Sequence, residues 1–185
     1  MKKRILPLLL LVLPYVYLVA FYSALSERAD VNSKMLVYLI IWVVLFIVLF
    51  AINIIFVALR VAHGGESRYF LFWNMVLKLV HIPVYLVIFF VGLLFASLPG
   101  AILFAPFLMA FDYMLLLLTS IYGIGGLVVA RREKKISTPY AVALGVFHFI
   151  FCADVICSIV AYCKVRPKRE KTSSQIRKTT EDATL

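Results

Sequence analysis

Charge is scarce in this sequence. Asp, Glu, Lys and Arg make up 15% of its 185 residues, where a soluble domain carries roughly 25%. Acidic residues are the scarcest, 9 against 19 Lys plus Arg. Cysteine occurs three times, at Cys152, Cys157 and Cys163, without the spacing of a disulfide framework or a zinc site. No GxSxG, HExxH or Walker A pattern is present, and no nucleophile stands at catalytic spacing from a base. The longest polar stretch is the 22-residue segment 164–185, so we expect no soluble catalytic domain, no cofactor and no metal site. What fills the chain is apolar: 64% of it is hydrophobic. A soluble domain of this size could not hide so much apolar surface. A soluble enzyme, a disordered chain and a conventional nucleic-acid-binding domain are thereby excluded, and a membrane protein is indicated.

The apolar residues fall into five runs, near 5–23, 35–59, 69–96, 101–130 and 140–163. Each is long enough to span a hydrocarbon core as a helix. The expected fold is therefore an all-α, polytopic transmembrane bundle of about five membrane-spanning helices over residues 1–163. A polar, basic, disordered tail follows at 164–185. The first run has the basic start of a secretory signal and a small-x-small site at Ala24-Leu25-Ser26, but its length favours an uncleaved span. Its prolines, Pro7 and Pro14, bend a spanning helix without stopping it. The fourth run would be about 45 Å long as a helix, more than a bilayer core requires, so it must tilt, kink near Pro106 or begin at the interface. His63-Gly64-Gly65 and Ser97-Leu98-Pro99-Gly100 carry turn signals.

The formal net charge of +10 sits between these runs, as it must where a bilayer excludes ions. The basic residues form short flanking clusters, so no nucleic-acid partner is expected. With a cytoplasmic N-terminus, five crossings place ten basic residues inside and nine outside, seven of the nine in the tail. Without the tail the count is ten to two, which orients the N-terminus to the cytoplasm. Either the tail is exported against its charge, or the chain inserts in both orientations, or one apolar run is re-entrant.

Polar groups inside the runs are the candidate site. They are Asn53, Asn74, Lys78, His81, Asp112, His148 and Asp154. Asn74, Lys78, His81 and Tyr85 recur at i, i+4, i+7 and i+11, one helical face. That face turns toward other helices or a polar cavity, unless Lys78 snorkels to the interface. Depth along continuous helices separates an inner layer (Asn53, Asn74, Lys78, His81, His148) from an outer one (Asp112, Asp154). His148 and Asp154, six residues apart, point about 120° away from each other on one helix, so no compact ligand set forms there. Gly92/Ala96, Gly126/Ala130 and Ala141/Gly145 predict close helix contacts. Tyr122-Gly123-Ile124-Gly125-Gly126 has the composition of a nucleotide loop but lacks the preceding strand.

These features predict a non-enzymatic multi-pass protein of the plasma membrane, either a small-solute or ion transporter or an accessory subunit of a membrane complex. A membrane-embedded enzyme using His148, Asp154 and Asp112 on a lipid-like substrate is the alternative, and a purely structural or regulatory protein is a third. The expected partners are the bilayer, other membrane subunits or a second copy of the chain, and anionic lipid for the tail if it is cytoplasmic.

Overall fold

A computed structural model describes residues 5–26, 31–97, 105–150 and 153–166; the tail beyond 166 lies outside the described residues. The chain is all-α. Its helices are α1 (Ile5–Ser26), α2 (Val31–Ala62), α3 (Ser67–Ser97), α4 (Ala105–Arg132), α5 (Thr138–Phe147) and α6 (Ala153–Val165). Three are long and apolar enough to cross a membrane, over Ile40–Ala62, Ser67–Ser97 and Leu108–Arg132; Ile5–Val19 and Thr138–Phe147 are shorter apolar helices. The first three helices contain the first three apolar runs and extend into the polar residues around them; α4 covers the fourth run from Ala105 onward, residues 101–104 lying outside the described ones. Apolar side chains lie all round them because lipid, not water, is the solvent: Ile47, Ile55, Phe90 and Met109 are each more than half exposed.

α3 and α4 are the central pair and share the most extensive contact. Gly126 on α4 lets Leu71 approach to where a Cβ would sit 2.7 Å from its side chain, and Ala130 below it is fully buried. That close approach fits the expected role of Gly126/Ala130. Gly92 and Gly145 have nothing within 4 Å of a built Cβ, so neither glycine marks a close helix contact among the described residues. α1 lies against α2 and α3. Tyr15 donates its hydroxyl to the Val80 carbonyl at 2.5 Å. Val80 adjoins Leu79, whose carbonyl has no amide donor from Pro83. Tyr17 stacks on Phe111 and meets Trp42, tying α1 to α4 and α2.

The fifth run does not form one helix. α5 ends at Phe147, His148–Ile150 form a turn, and α6 starts with the Asp154 amide donating to Ile150 at 3.0 Å. α6 then returns along α5. Ala161 and Val165 join Leu144, Ile136, Ala130 and Leu71 in one cluster, and the Lys164 ammonium lies 5.9 Å from the Tyr140 ring centre. The end of α6 therefore sits beside the start of α5, the start of α3 and the end of α4. The expectation of a continuous helix over 140–163 is corrected accordingly. The physical reason is a bond: His148 Nδ1 lies 2.8 Å from Asp154 Oδ1. Residues six apart cannot face each other on an unbroken helix, so the bond requires the break.

At that shared end, polar residues brace the helices. α2 passes into α3 through a turn with Gly64 at φ 77°, a conformation glycine adopts without strain. Glu133, just past α4, accepts from the Ser67 amide at 3.2 Å and from the Ser67 hydroxyl, capping α3 from another helix. Lys135 pairs with Glu133 at 2.7 Å, and Arg132 donates to the Val61 carbonyl at 3.0 Å. Partial burial alone would raise the Glu133 carboxyl, but the bonds from Lys135 and Ser67 outweigh it and hold the group below its ordinary value. Glu133→Gln should therefore lower the melting temperature in detergent by a few degrees, as for loss of a cap worth about 1 kcal/mol. The Glu133 contribution is complete above the unfolded glutamate value of about 4.3 and disappears as pH falls through the lower folded value. The gap between wild type and variant in a melting series should close at acid pH.

Candidate functional site

α3 presents Asn74, Lys78, His81 and Tyr85 on one face, and all four are buried. Lys78 does not snorkel. Its side chain is fully buried, and its ammonium forms an ion pair with Asp154 Oδ2, on the first turn of α6. The ammonium also donates to Ser120 Oγ at 2.9 Å and to the Leu116 carbonyl at 3.3 Å, both on α4. Asp154 Oδ1 accepts from His148 Nδ1 at 2.8 Å, which places a proton on Nδ1. Ser120 donates from the same hydroxyl to the Leu116 carbonyl at 2.7 Å or the His148 carbonyl at 3.2 Å. One charged cluster thus joins α3, α4, the turn after α5 and the start of α6. Ser158 extends it by donating to the Asp154 carbonyl at 2.6 Å.

The two expected layers collapse for Asp154. On an unbroken helix it would lie about 21 Å from the cytoplasmic end, well above Lys78. Because α6 runs back, Asp154 is instead about 16 Å from the end at Val165, against about 14 Å for Lys78 along α3. The two charges meet at one depth. Asp112 stays apart: it is half-buried, and no bond joins it to His148 or Asp154 among the described residues. Asn53 is fully buried on α2 and donates to the Leu118 carbonyl at 3.2 Å, a helix-to-helix link outside the charged cluster. His81 bonds back to the Leu77 carbonyl of its own helix at 2.5 Å. Asn74 is fully buried, with neither amide atom partnered among the described residues; it sits beside His148, whose Nε2 is likewise unpartnered.

Sequence reading missed Ser120, and it singled out Gly123 only within the glycine run 122–126, without its place beside His148. A Cβ at Gly123 would stand 2.7 Å from His148 Nε2 and 3.1 Å from Asn74 Nδ2. Glycine here admits the imidazole against the α4 backbone. Ser120 and Gly123 are i, i+3 on the α4 face that receives the α5–α6 turn; that spacing beside Thr119 was the available signal. Cys157 and Cys163 are free thiols, and no group of three metal-ligating side chains occurs among the described residues.

Among the described residues the chain is all-α, with three helices long and apolar enough to cross a membrane, the length and composition of a multi-span membrane protein. Residues 2–167 match a family of unknown function, DUF6652, and the chain belongs to that family. Comparison with curated proteins and with solved structures finds no match.

Two sets of variants probe the cluster. Lys78→Met alone leaves Asp154 buried without its cation and should cost about 3–5 kcal/mol. Adding Asp154→Asn removes the stranded charge while keeping an acceptor for His148, so the double variant should recover most of that loss in a detergent melting series. Gly123→Ala should cost about 1–3 kcal/mol by overpacking against His148. It should also raise the reactivity of a cysteine placed at Ala153, at the tip of the turn, as the turn is pushed off α4.

Proposed function

We propose that this chain is a non-enzymatic integral membrane protein with four crossings, α1 to α4, and a re-entrant hairpin, α5–α6. The observation that carries the topology is the return of α6 to the end where α5 begins. Four crossings with a cytoplasmic N-terminus put Lys2, Lys3, Arg4, Arg60, Arg68, the four basic residues at 131–135 and the seven of the tail on one side. Only Arg28 and Lys34 face the other side. With the buried Lys78 left out, sixteen to two obeys the positive-inside rule, where five crossings counted the same way give nine to nine. The tail then lies in the cytoplasm, with the plasma membrane as its bilayer. Single cysteines in a Cys152/Cys157/Cys163-free background test this. An impermeant maleimide should label Ala29→Cys in intact cells and Ser174→Cys only after lysis; the reverse pattern would overturn it.

Within that topology, we infer a proton-coupled carrier for a small solute or ion. Its support is the Lys78–Asp154–His148 cluster at the hairpin tip. Buried ion pairs contribute little net stability compared with apolar side chains of similar volume. A cluster that ties a re-entrant element to two spanning helices is suited to releasing that element when a proton arrives. Both Asp154 oxygens are engaged and the Lys78 ammonium fills the cation position between Ser120 and Leu116, so a proton is the ion that enters without displacing it. The enzyme alternative needs Asp112 together with His148 and Asp154, and only the latter two meet. In proteoliposomes on a solid-supported membrane, a pH step should give a transient current with wild type. The current should vanish with the folded Lys78→Met/Asp154→Asn double variant. Equal currents from both would exclude the cluster from coupling.

A further inference from the structure

Outside the charged cluster, α4 and α5 diverge to leave an open groove of about 170 Å³. One wall is Ile124, Val128 and Arg131 of α4; the other is Ala141, Val142 and Gly145 of α5. The lining surface is almost wholly apolar, with Leu127 completing the α4 wall; Arg131, in the last turn of α4, and Thr138, at the start of α5, stand at one end. Val128 and Val142 are 41% and 60% exposed, so the groove faces outward, toward lipid in a bilayer. Gly145 deepens it, since nothing lies within 4 Å of a Cβ built there.

The charge at its mouth is unbalanced. Glu133, the nearest acid along the chain, is already engaged by Ser67 and Lys135, and Arg132 is turned toward the Val61 carbonyl. Arg131 and Lys134 have no acidic partner among the described residues. An apolar slot that ends in an unmatched guanidinium at the depth where a helix leaves the membrane is complementary to one kind of molecule: an acyl chain joined to a phosphate that keeps a net negative charge. Free phosphate would leave the slot unfilled, and a zwitterionic headgroup would bring its own cation to the guanidinium. We propose that the α4–α5 groove binds an anionic phospholipid, with an acyl chain between Val128 and Gly145 and the phosphate on Arg131. The site requires only that these helices lie in a bilayer, so it stands or falls separately from solute transport.

Native mass spectrometry of the purified full chain, titrated with phosphatidylglycerol or phosphatidylcholine of the same acyl composition, tests it. Phosphatidylglycerol should be retained at about fivefold lower concentration, the effect of one basic residue near a charged lipid. Arg131→Gln should abolish that preference while leaving weak retention of both lipids. Gly145→Phe should abolish retention of both by filling the slot, and Val142→Trp, on the same wall, is the second filler should Gly145→Phe misfold. Unaltered preference in Arg131→Gln would overturn the proposal by assigning lipid selectivity to the other basic residues. So would equal retention of the two lipids by wild type, or a dimer that the fillers dissociate, which would make the groove a contact between copies.

Discussion

Asp154 has two carboxylate oxygens, and both are engaged inside the protein, one by the Lys78 ammonium and one by the His148 imidazole. The shape of the C-terminal third depends on this. A lysine at this depth in a spanning helix must find a counter-charge or reach water. α4 supplies a hydroxyl and a carbonyl, and its own acid, Asp112, makes no ion pair with Lys78 among the described residues. The counter-charge comes from α6, and α6 can deliver it only by turning back. The same carboxylate bonds His148 across the turn, so the residues that neutralise Lys78 also hold the turn closed.

The helices are held together in two different ways at two depths. Around the buried cluster, charges are fully desolvated, and removing one partner strands the other. At the end where α2, α3, α4, α5 and α6 meet, Glu133, Lys135 and Arg132 are partly exposed around the buried Ser67, and each bond contributes modestly. The Arg60 guanidinium adds a face contact there, 3.6 Å from the centre of the Tyr69 ring. The rim bonds join the helix ends, while the interior cluster joins the α5–α6 turn to α3 and α4. This division is consistent with a hairpin that can respond to one buried group without loosening the whole bundle.

Most of the helical organisation was legible because lipid exposure makes long apolar runs obligatory. The face of α3 bearing Asn74, Lys78, His81 and Tyr85 was legible too, since its 3.6-residue period survives in the fold. What sequence could not supply was the return of α6. Residues 140–163 have no internal proline and enough apolar length to span, so nothing local marks a break at His148. The i, i+6 spacing of His148 and Asp154 argued against contact only while the helix was taken as continuous. Ser120 read as an ordinary small residue in a helix, and the Glu133 cap on Ser67 joins positions too far apart for a capping pattern to reveal.

The position of Asp154 in the chain also dictates an order of assembly. Ribosomal synthesis produces α3, with Lys78, long before α6. Before α6 is made, α4 offers the Lys78 ammonium only the neutral acceptors Ser120 and Leu116, since Asp112 of α4 makes no bond to it among the described residues. The α3–α4 pair must therefore await the last helix with a solvated or weakly held cation at its centre. The ion pair that buries that cation therefore forms only after residue 154 has been made.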